Sequence, residues 1–261
     1  MAMELTKRDS SYIANVDLDT PGIQEMRADL AAVLRMCARL GLHEGIDNHF
    51  SALLPGRDDL FLVNPYGLSF EEVTASSLLI CDFDGNVLAG DGAPEASAFY
   101  IHARIHKAIP RARAAFHTHM PNATALSMLD QPPFDWSVQS SLKFYGRTAF
   151  DQNYNGLALD EAEGDRIAST IGDADIIFMQ NHGVMTVGPT IAQAWDDLYF
   201  LERAAEVQVK ALSTGRRIKP IDPAIARKVF EEEYAALPVT SKRHLESVHR
   251  VLRKVDPDYA S

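Results

Sequence analysis

Cysteine is scarce in this chain, and its scarcity excludes two kinds of architecture. The 261 residues include two cysteines, Cys37 and Cys81, which lie far apart in the sequence. They can build neither the disulfide framework of a small secreted domain nor a CxxC zinc or redox motif. We therefore expect both to be small, buried apolar residues.

Long apolar runs are missing as well. No window approaches the roughly 18 consecutive apolar residues of a membrane-spanning helix. The opening segment mixes acidic and basic residues and has no apolar core of the kind that a secretory signal requires. Internal repeats and linkers rich in Gly and Ser are also absent. These absences favour a cytoplasmic protein with no membrane partner.

Basic residues are outnumbered by acidic ones. Lys and Arg total 25 against 36 Asp and Glu, which gives a formal net charge of -11. A surface of this sign repels the phosphates of nucleic acids. The main basic cluster, residues 242–254, falls on a predicted C-terminal helix and is typical of a solvated face. No nucleic-acid partner is expected.

The apolar pattern predicts short strands and amphipathic helices. Turn signals such as Asp84-Gly85-Asn86 separate strand-like runs in the first third of the chain, whereas residues 133–156 have no regular pattern. Because hairpins outnumber helical crossovers, we expect an antiparallel or mixed sheet covered by helices. The simplest division is one α/β domain, residues 1–214, with a helical C-terminal extension, residues 215–261, that packs on this domain or on a neighbouring subunit.

Two histidines lie one residue apart in residues 115–121, Ala-Phe-His-Thr-His-Met-Pro. On an extended strand, residues i and i+2 face the same side, so His117 and His119 can direct both rings at one point. A catalytic zinc site usually has three protein ligands and one open position. The best third candidate is His182, which ends an apolar run just before Gly183. The alternative is an ordinary strand, with one ring in the core and the other among polar groups.

His102 and His106 form a rival pair, four residues apart on one predicted helix. Ala103 occupies the position of the glutamate in the HExxH metalloprotease motif, so that motif is incomplete. We therefore expect His102 to be a packed helical residue and His106 to be partly exposed.

Taken in order, these motifs resemble the class II aldolase/adducin family, in particular its adducin-like branch. The resemblance runs from about residue 26 to residue 212 and rests on His117-Thr118-His119 followed by Asn181-His182-Gly183. It extends to four further segments, residues 47–51, 64–67, 97–106 and 154–156. The resemblance implies a three-layer α/β/α fold around a mostly antiparallel sheet, and a homotetramer with active sites between subunits.

The resemblance also implies a chemistry. Zinc, or another divalent ion such as manganese or cobalt, would be held by His117, His119 and His182. In the aldolases and epimerases of the family, this ion holds the oxygens of an enediolate and acts as a Lewis acid while a carbon–carbon bond is broken or made. Tyr154 would be a further proton donor.

Two departures from the family pattern bear on the function. The sugar-phosphate aldolases carry a catalytic glutamate at the position of Ala98. Glu95, about one helical turn earlier, either replaces it as the acid/base or is a glutamate favoured only by the helix dipole. The phosphate-binding Thr and paired Ser of those enzymes correspond to Asn64 and Ala96-Ser97, so a substrate without phosphate is expected. The residues expected to face the substrate are Asn48, Asn64, Gly67 and Ser97.

Three functions remain open. The first is a metal-dependent lyase of the aldol or retro-aldol type, acting on a small, unphosphorylated carbonyl or hydroxy compound. The second is a decarboxylase of a hydroxy acid or hydroxy-aromatic acid. The third is a non-catalytic, adducin-like binding or scaffold protein. The three histidines favour an enzyme, because a scaffold does not need a convergent ligand set, whereas Ala98 favours the scaffold.

Overall fold

The computed structural model describes Asp17, residues 20–130 and residues 132–261. Most of the opening segment, for which no secretory signal is expected, lies outside these ranges. Within them, no helix combines the length and the apolar character that crossing a membrane requires.

One sheet forms the centre of the described part of the chain. Its eight strands are β1 (His49–Leu53), β2 (Leu60–Val63), β3 (Leu79–Asp82), β4 (Val87–Ala89), β5 (Ala114–Thr118), β6 (Thr148–Asp151), β7 (Ile176–Met179) and β8 (Gly183–Gly188). They lie in the order β4-β3-β2-β1-β5-β8-β7-β6. Every neighbouring pair is antiparallel except β6 and β7, which are parallel. The predicted, mostly antiparallel sheet is therefore confirmed.

Seven α-helices accompany the sheet within the same ranges. They are α1 (Pro21–Leu40), α2 (Ala96–Ala108), α3 (Pro121–Ser127), α4 (Gln139–Leu142), α5 (Glu161–Ile171), α6 (Ile191–Leu212) and α7 (Pro223–Val255). Helix α1 begins and ends at signals that the sequence carries. The side chain of Thr20 accepts a hydrogen bond from the Ile23 amide, and Gly41 ends the helix with a left-handed backbone, φ 65°.

The helices form a layer on each face of the sheet. Phe116 of β5 packs into a core cluster that includes Trp195 of α6. The neighbouring Ala115 points the other way, into a cluster with Ile105 of α2 and Ile167 of α5. Because successive strand residues alternate between faces, the sheet lies between two helical layers. The three-layer α/β/α architecture is confirmed.

Residues 133–156 are more regular than predicted. Strand β6 lies there and pairs with β7 at one edge of the sheet. Three of its four residues are only partly buried and show no alternation, so the strand leaves no periodic signal in the sequence. Helix α4 is a single turn in the same region.

Helix α7 packs against α1 and α6 of the same chain. The ring of His244 donates a hydrogen bond to Asp196 at 2.8 Å, and the ring of His249 donates one to Asp29 at 2.7 Å. The division of the chain into a domain and an extension at residue 215 stays a prediction.

Both cysteines are buried and unpaired, as expected. Burial raises the pKa of the Cys81 thiol to about 12, and it raises the pKa of Cys37 well above its usual value. Neither residue is a thiolate at neutral pH, which is consistent with their roles as apolar core residues.

Candidate metal centre

The sheet brings the three predicted ligands together where β5 ends and β8 begins. These two strands are antiparallel, and Thr118 lies opposite Val184. His119 directly follows the end of β5, and His182 directly precedes β8. One ring nitrogen from each of His117, His119 and His182 lies within 4.8 Å of the other two.

His117 is almost fully buried, and one of its ring nitrogens is already engaged. Nδ1 donates a hydrogen bond to the carbonyl oxygen of Val184 at 2.9 Å. Burial and the neighbouring histidine rings hold the pKa of His117 well below its usual range. At neutral pH the ring therefore carries one proton, on Nδ1, and Nε2 keeps a lone pair.

His119 is oriented by a carboxylate. Its Nδ1 donates to Oε2 of Glu44 at 2.7 Å, so Nε2 is again the nitrogen left to bind a ligand. A carboxylate behind a histidine is the arrangement that fixes the tautomer and raises the basicity of metal-binding imidazoles. Sequence reasoning missed Glu44, because the pair is separated by 75 positions and no local spacing connects them.

His182 is placed by a tight turn between β7 and β8. Asn181, immediately before it, has a left-handed backbone with φ 58°, a conformation that asparagine tolerates better than most residues. The His182 ring centroid lies 4.8 Å from that of His117 and 5.0 Å from that of His119. Burial lowers the pKa of His182 to about 4, so this ring is also neutral at pH 7.

Gly183 lets the ring of His119 approach β8. A Cβ at this position would lie 2.7 Å from Cδ2 of His119 and 2.7 Å from the carbonyl oxygen of Thr118. Both distances are shorter than real Cβ contacts. Gly183 therefore has a steric role in seating a predicted ligand.

The residues present fit a divalent metal. Three imidazole nitrogens converge, and two of the rings are held by an acceptor on the opposite nitrogen, Val184 for His117 and Glu44 for His119. Neutral imidazoles with this support suit zinc and its neighbours among the divalent ions. Three ligands also leave room for an exchangeable fourth.

Asn48 connects the Glu44 loop to the ligand strand. Its Oδ1 accepts hydrogen bonds from the amide of Glu44 at 2.7 Å and from the amide of His119 at 3.4 Å. Its Nδ2 is buried and has no partner among the described residues. A buried donor without a partner is costly, and the same side chain contacts the backbone of His119, one of the three predicted ligands.

Asn64 and Gly67 form the turn after β2, close to the start of α2. The Asn64 side chain accepts from the Phe50 amide at 2.9 Å and donates to the Asn48 carbonyl at 3.2 Å. The amide of Tyr66 donates to the Ala93 carbonyl at 2.9 Å, which fixes the turn against the loop before α2. Both polar atoms of Asn64 are used within the protein, and its contact with substrate stays a prediction.

Glu95 caps helix α2. Its Oε2 accepts from the Ala98 amide at 2.9 Å and from the hydroxyl of Ser97. The ring of Tyr154 lies 6.4 Å from that of His182, and about half of the residue is exposed. The catalytic roles of Glu95 and Tyr154 stay predictions.

His102 and His106 do not join the convergent trio. Both are buried, and each hydrogen-bonds to Ser51. The expectation that His106 is partly exposed is wrong, because Ser51 and the carbonyl of Ala112 satisfy both of its ring nitrogens inside the protein. Satisfied in this way, an imidazole can be buried without an unpaired polar atom.

Residues 28–209 match the family model described as "Class II Aldolase and Adducin N-terminal domain". The match covers well over half of the chain. The chain therefore belongs to the class II aldolase and adducin family, as its motifs suggested.

Individual relatives agree with this assignment. The Caulobacter vibrioides protein named "Putative aldolase class 2 protein" is 38% identical over 195 residues, which are 74% of this chain and 74% of that protein. An aldolase II superfamily protein from Pseudomonas syringae has 32% identity and a TM-score of 0.88, covering 94% of this chain and 98% of that one. L-fuculose 1-phosphate aldolase from Glaciozyma antarctica PI12 has 28% identity and a TM-score of 0.80, covering 90% of this chain and 92% of that one.

Proposed function

We propose that the protein is a metal-dependent lyase that breaks or makes a carbon–carbon bond by an aldol-type reaction. The substrate is a small, unphosphorylated carbonyl or hydroxy compound. The observation that carries the proposal is the convergence of His117, His119 and His182, whose ring nitrogens lie within 4.8 Å of one another. The structural likeness to aldolases supports it.

A divalent ion, zinc or another such as manganese or cobalt, supplies Lewis-acid stabilisation of the negative charge that develops on a substrate oxygen. The chain supplies the remaining groups. Asn48 donates from Nδ2, which has no partner among the described residues, to a substrate oxygen. Tyr154, whose ring lies 6.4 Å from that of His182, moves a proton through its hydroxyl. Glu95 acts as the acid/base after its carboxylate has moved away from the Ala98 amide that it caps.

The start of α2 supports a substrate without phosphate. The Ala98 amide and the Ser97 hydroxyl, two donors that a phosphate would need there, both point to the carboxylate of Glu95. The negative charge of Glu95 also repels a second anion at the helix start. Access of a phosphate would require displacing a carboxylate that belongs to the protein.

The second candidate is a non-catalytic protein of the adducin kind. One observation favours it: Ala98 has no carboxylate, and Glu95 is engaged in capping the helix. The three histidines do not require catalysis if the metal is only structural. Turnover decides between the two candidates.

The test is a screen of zinc-loaded protein against unphosphorylated aldehydes and hydroxy acids, each paired with a phosphorylated counterpart, with products followed by NMR. We expect turnover of an unphosphorylated compound, its loss in His117→Ala, and its retention in Ser141→Ala, which removes a buried hydroxyl that donates to the Val138 carbonyl. Reduced turnover in Glu95→Gln supports the acid/base role. Bound metal with no turnover of any compound favours the scaffold.

The proposal extends to the assembly, a homotetramer in which residues 215–261 extend a catalytic domain of residues 1–214. Helix α7 supports it, because several of its large apolar side chains are exposed: Ile225, Tyr234, Val239, Val251 and Val255. Exposed apolar side chains mark a subunit contact when they form a contiguous patch, and the oligomeric state tests whether these side chains do. Light scattering should give four times the chain mass of 28.8 kDa; a monomer would contradict this part.

A further inference from the structure

A chain of buried hydrogen bonds leads from the carbonyl of Ala112 to His49. Nδ1 of His106 lies 2.6 Å from the Ala112 oxygen, and Nε2 of His106 lies 2.7 Å from Oγ of Ser51. The same Oγ lies 2.5 Å from Nδ1 of His102, and Nε2 of His102 lies 2.7 Å from Nδ1 of His49. All four side chains are at most 4% exposed.

The carbonyl of Ala112, at one end of the chain of hydrogen bonds, determines which nitrogen of His106 carries the proton. A carbonyl oxygen only accepts, so Nδ1 of His106 carries a hydrogen. Burial lowers the pKa of His106 to about 4. The rings of His102 and His49 are as deeply buried, and the hydrogen-bond partners that link them into this chain are uncharged. Each ring is therefore neutral and has a single N–H. Nε2 of His106 is consequently an acceptor and receives the hydroxyl hydrogen of Ser51.

The remaining protons follow from the first. Because Ser51 has donated its one hydrogen to His106, its oxygen must accept from Nδ1 of His102. Nε2 of His102 is then an acceptor and receives the hydrogen on Nδ1 of His49. By the same count, Nε2 of His49 carries no hydrogen. Every bond in the chain is satisfied by this one arrangement.

His49 stands at the edge of the three-histidine centre. It lies directly opposite His117 on the neighbouring strand β1, and residues paired directly opposite one another on adjacent strands face the same side of the sheet. Its ring centroid is 4.8 Å from that of His117 and 4.8 Å from that of His102. Since Nδ1 is bonded to His102, Nε2 on the opposite side of the ring is left for a ligand.

We propose that His49 orients the substrate, with its unprotonated Nε2 accepting a hydrogen bond from a substrate hydroxyl. His102, Ser51 and His106 are positioning residues that act through it. The ligand class is a compound with a hydroxyl next to a metal-binding oxygen, so the inference rests on the proposed function. His49, on β1, would then supply the centre with a hydrogen-bond acceptor. Helix α2 supplies none at Ala98, the position of the catalytic glutamate in the sugar-phosphate aldolases.

The first experiment reads the proton positions directly. Long-range proton–nitrogen NMR spectra of the full chain, labelled with nitrogen-15 in histidine and loaded with zinc, distinguish the two neutral tautomers of each ring. We expect hydrogen on Nδ1 in His49, His102 and His106. Hydrogen on Nε2 of His49 overturns the inference. The measurement needs neither substrate nor turnover, so a missing metal in the same sample identifies failure of the proposed function separately.

Ser51→Ala tests whether the chain fixes the tautomer. It removes the link between His106 and His102, so we expect a form with hydrogen on Nε2 to appear at His102 or His49. Ser141→Ala, which removes an equally buried hydroxyl elsewhere, should leave these spectra unchanged. An unchanged His49 spectrum in Ser51→Ala overturns the inference. If Ser51→Ala does not fold, the spectrum of the unmutated protein still shows which nitrogen of His49 carries the hydrogen and so tests the inference.

A binding comparison tests the acceptor role. Glycolate carries a hydroxyl beside its carboxylate, and methoxyacetate has the same carboxylate without the donor hydrogen. Calorimetry on the zinc-loaded protein should show glycolate binding about tenfold more tightly, because methoxyacetate leaves Nε2 unpaired. The ratio should fall in Ser51→Ala and persist in Ser141→Ala. Equal affinities in the unmutated protein contradict the role of His49.

Discussion

The Nε2 atoms of His117 and His119 lie 3.1 Å apart. Each ring donates from Nδ1 to an acceptor, Val184 for His117 and Glu44 for His119, so Nε2 of each ring is the nitrogen left to bind a ligand. Two acceptors at this distance repel one another unless a cation or a proton lies between them. The arrangement is the one expected of two ligands of the same ion.

Removing the support of His119 should weaken metal binding. In Glu44→Gln the ring of His119 keeps a hydrogen-bond acceptor but loses the negative charge that raises the basicity of the ring. Loss of such a supporting group lowers metal affinity by about 10- to 100-fold. A chelator competition titration measures the effect. Asp47→Asn, in the same loop, is the matched control and should bind as the unmutated protein does. Equal affinity in Glu44→Gln would show that the carboxylate does not support the ligand.

Gly183→Ala should have a similar effect by steric means. The added Cβ meets His119 and the Thr118 carbonyl at 2.7 Å, so the ring must move and affinity should fall about tenfold or more. In Gly22→Ala the new Cβ meets, among the described residues, Pro55 at 3.8 Å, and both affinity and stability should stay nearly unchanged. Normal metal content in Gly183→Ala would mean that the ring of His119 can shift without cost.

Two substitutions at Asn181, in the turn before His182, should have opposite effects. Asn181 has φ 58°, which glycine adopts freely and a β-branched residue does not. Asn181→Gly should keep both stability and metal content, whereas Asn181→Val should lose about 2 kcal/mol of unfolding free energy and bind less metal. Thermal or denaturant unfolding with metal analysis measures both. Equal behaviour of the two variants would argue against a strained turn.

Acid should destabilise the fold through His106. Burial lowers its pKa from 6.5 to about 4, so below pH 6.5 the unfolded chain binds a proton that the folded protein does not. Stability is therefore fully present above pH 6.5 and is lost as the pH falls towards 4. The contribution between pH 7 and pH 5 is about 2 kcal/mol. Urea unfolding at both pH values measures it, and His106→Gln should reduce the difference by that amount; an unchanged difference would contradict the assignment.

The sequence predicts the parts of the fold that have local signals. Thr20-Pro21 and Gly41 mark the ends of α1, and the turn at Asp84-Gly85-Asn86 marks the hairpin of β3 and β4, because caps and turns depend on a few neighbouring residues. Strand β6 was missed, since an edge strand that is half exposed need not alternate. Its pairing with β7 is a tertiary contact.

The candidate site also has some features with a local sequence signal and others that depend on tertiary contacts. The spacing of His117 and His119 predicts that both rings face one point, because strand geometry is local. The partnership of Glu44 with His119, and that of Ser51 with His102 and His106, join residues far apart in the chain. Such contacts depend on how the sheet and α2 pack, so no sequence pattern predicts them.

Metal analysis of the purified chain tests the central claim most directly. Elemental analysis should find about one divalent ion per chain in the unmutated protein and in Ser141→Ala. It should find almost none in His117→Ala and in His182→Ala, provided that both variants keep the circular dichroism of the folded protein. Absence of metal from the unmutated protein, or undiminished metal in both histidine variants, would contradict the three-histidine centre.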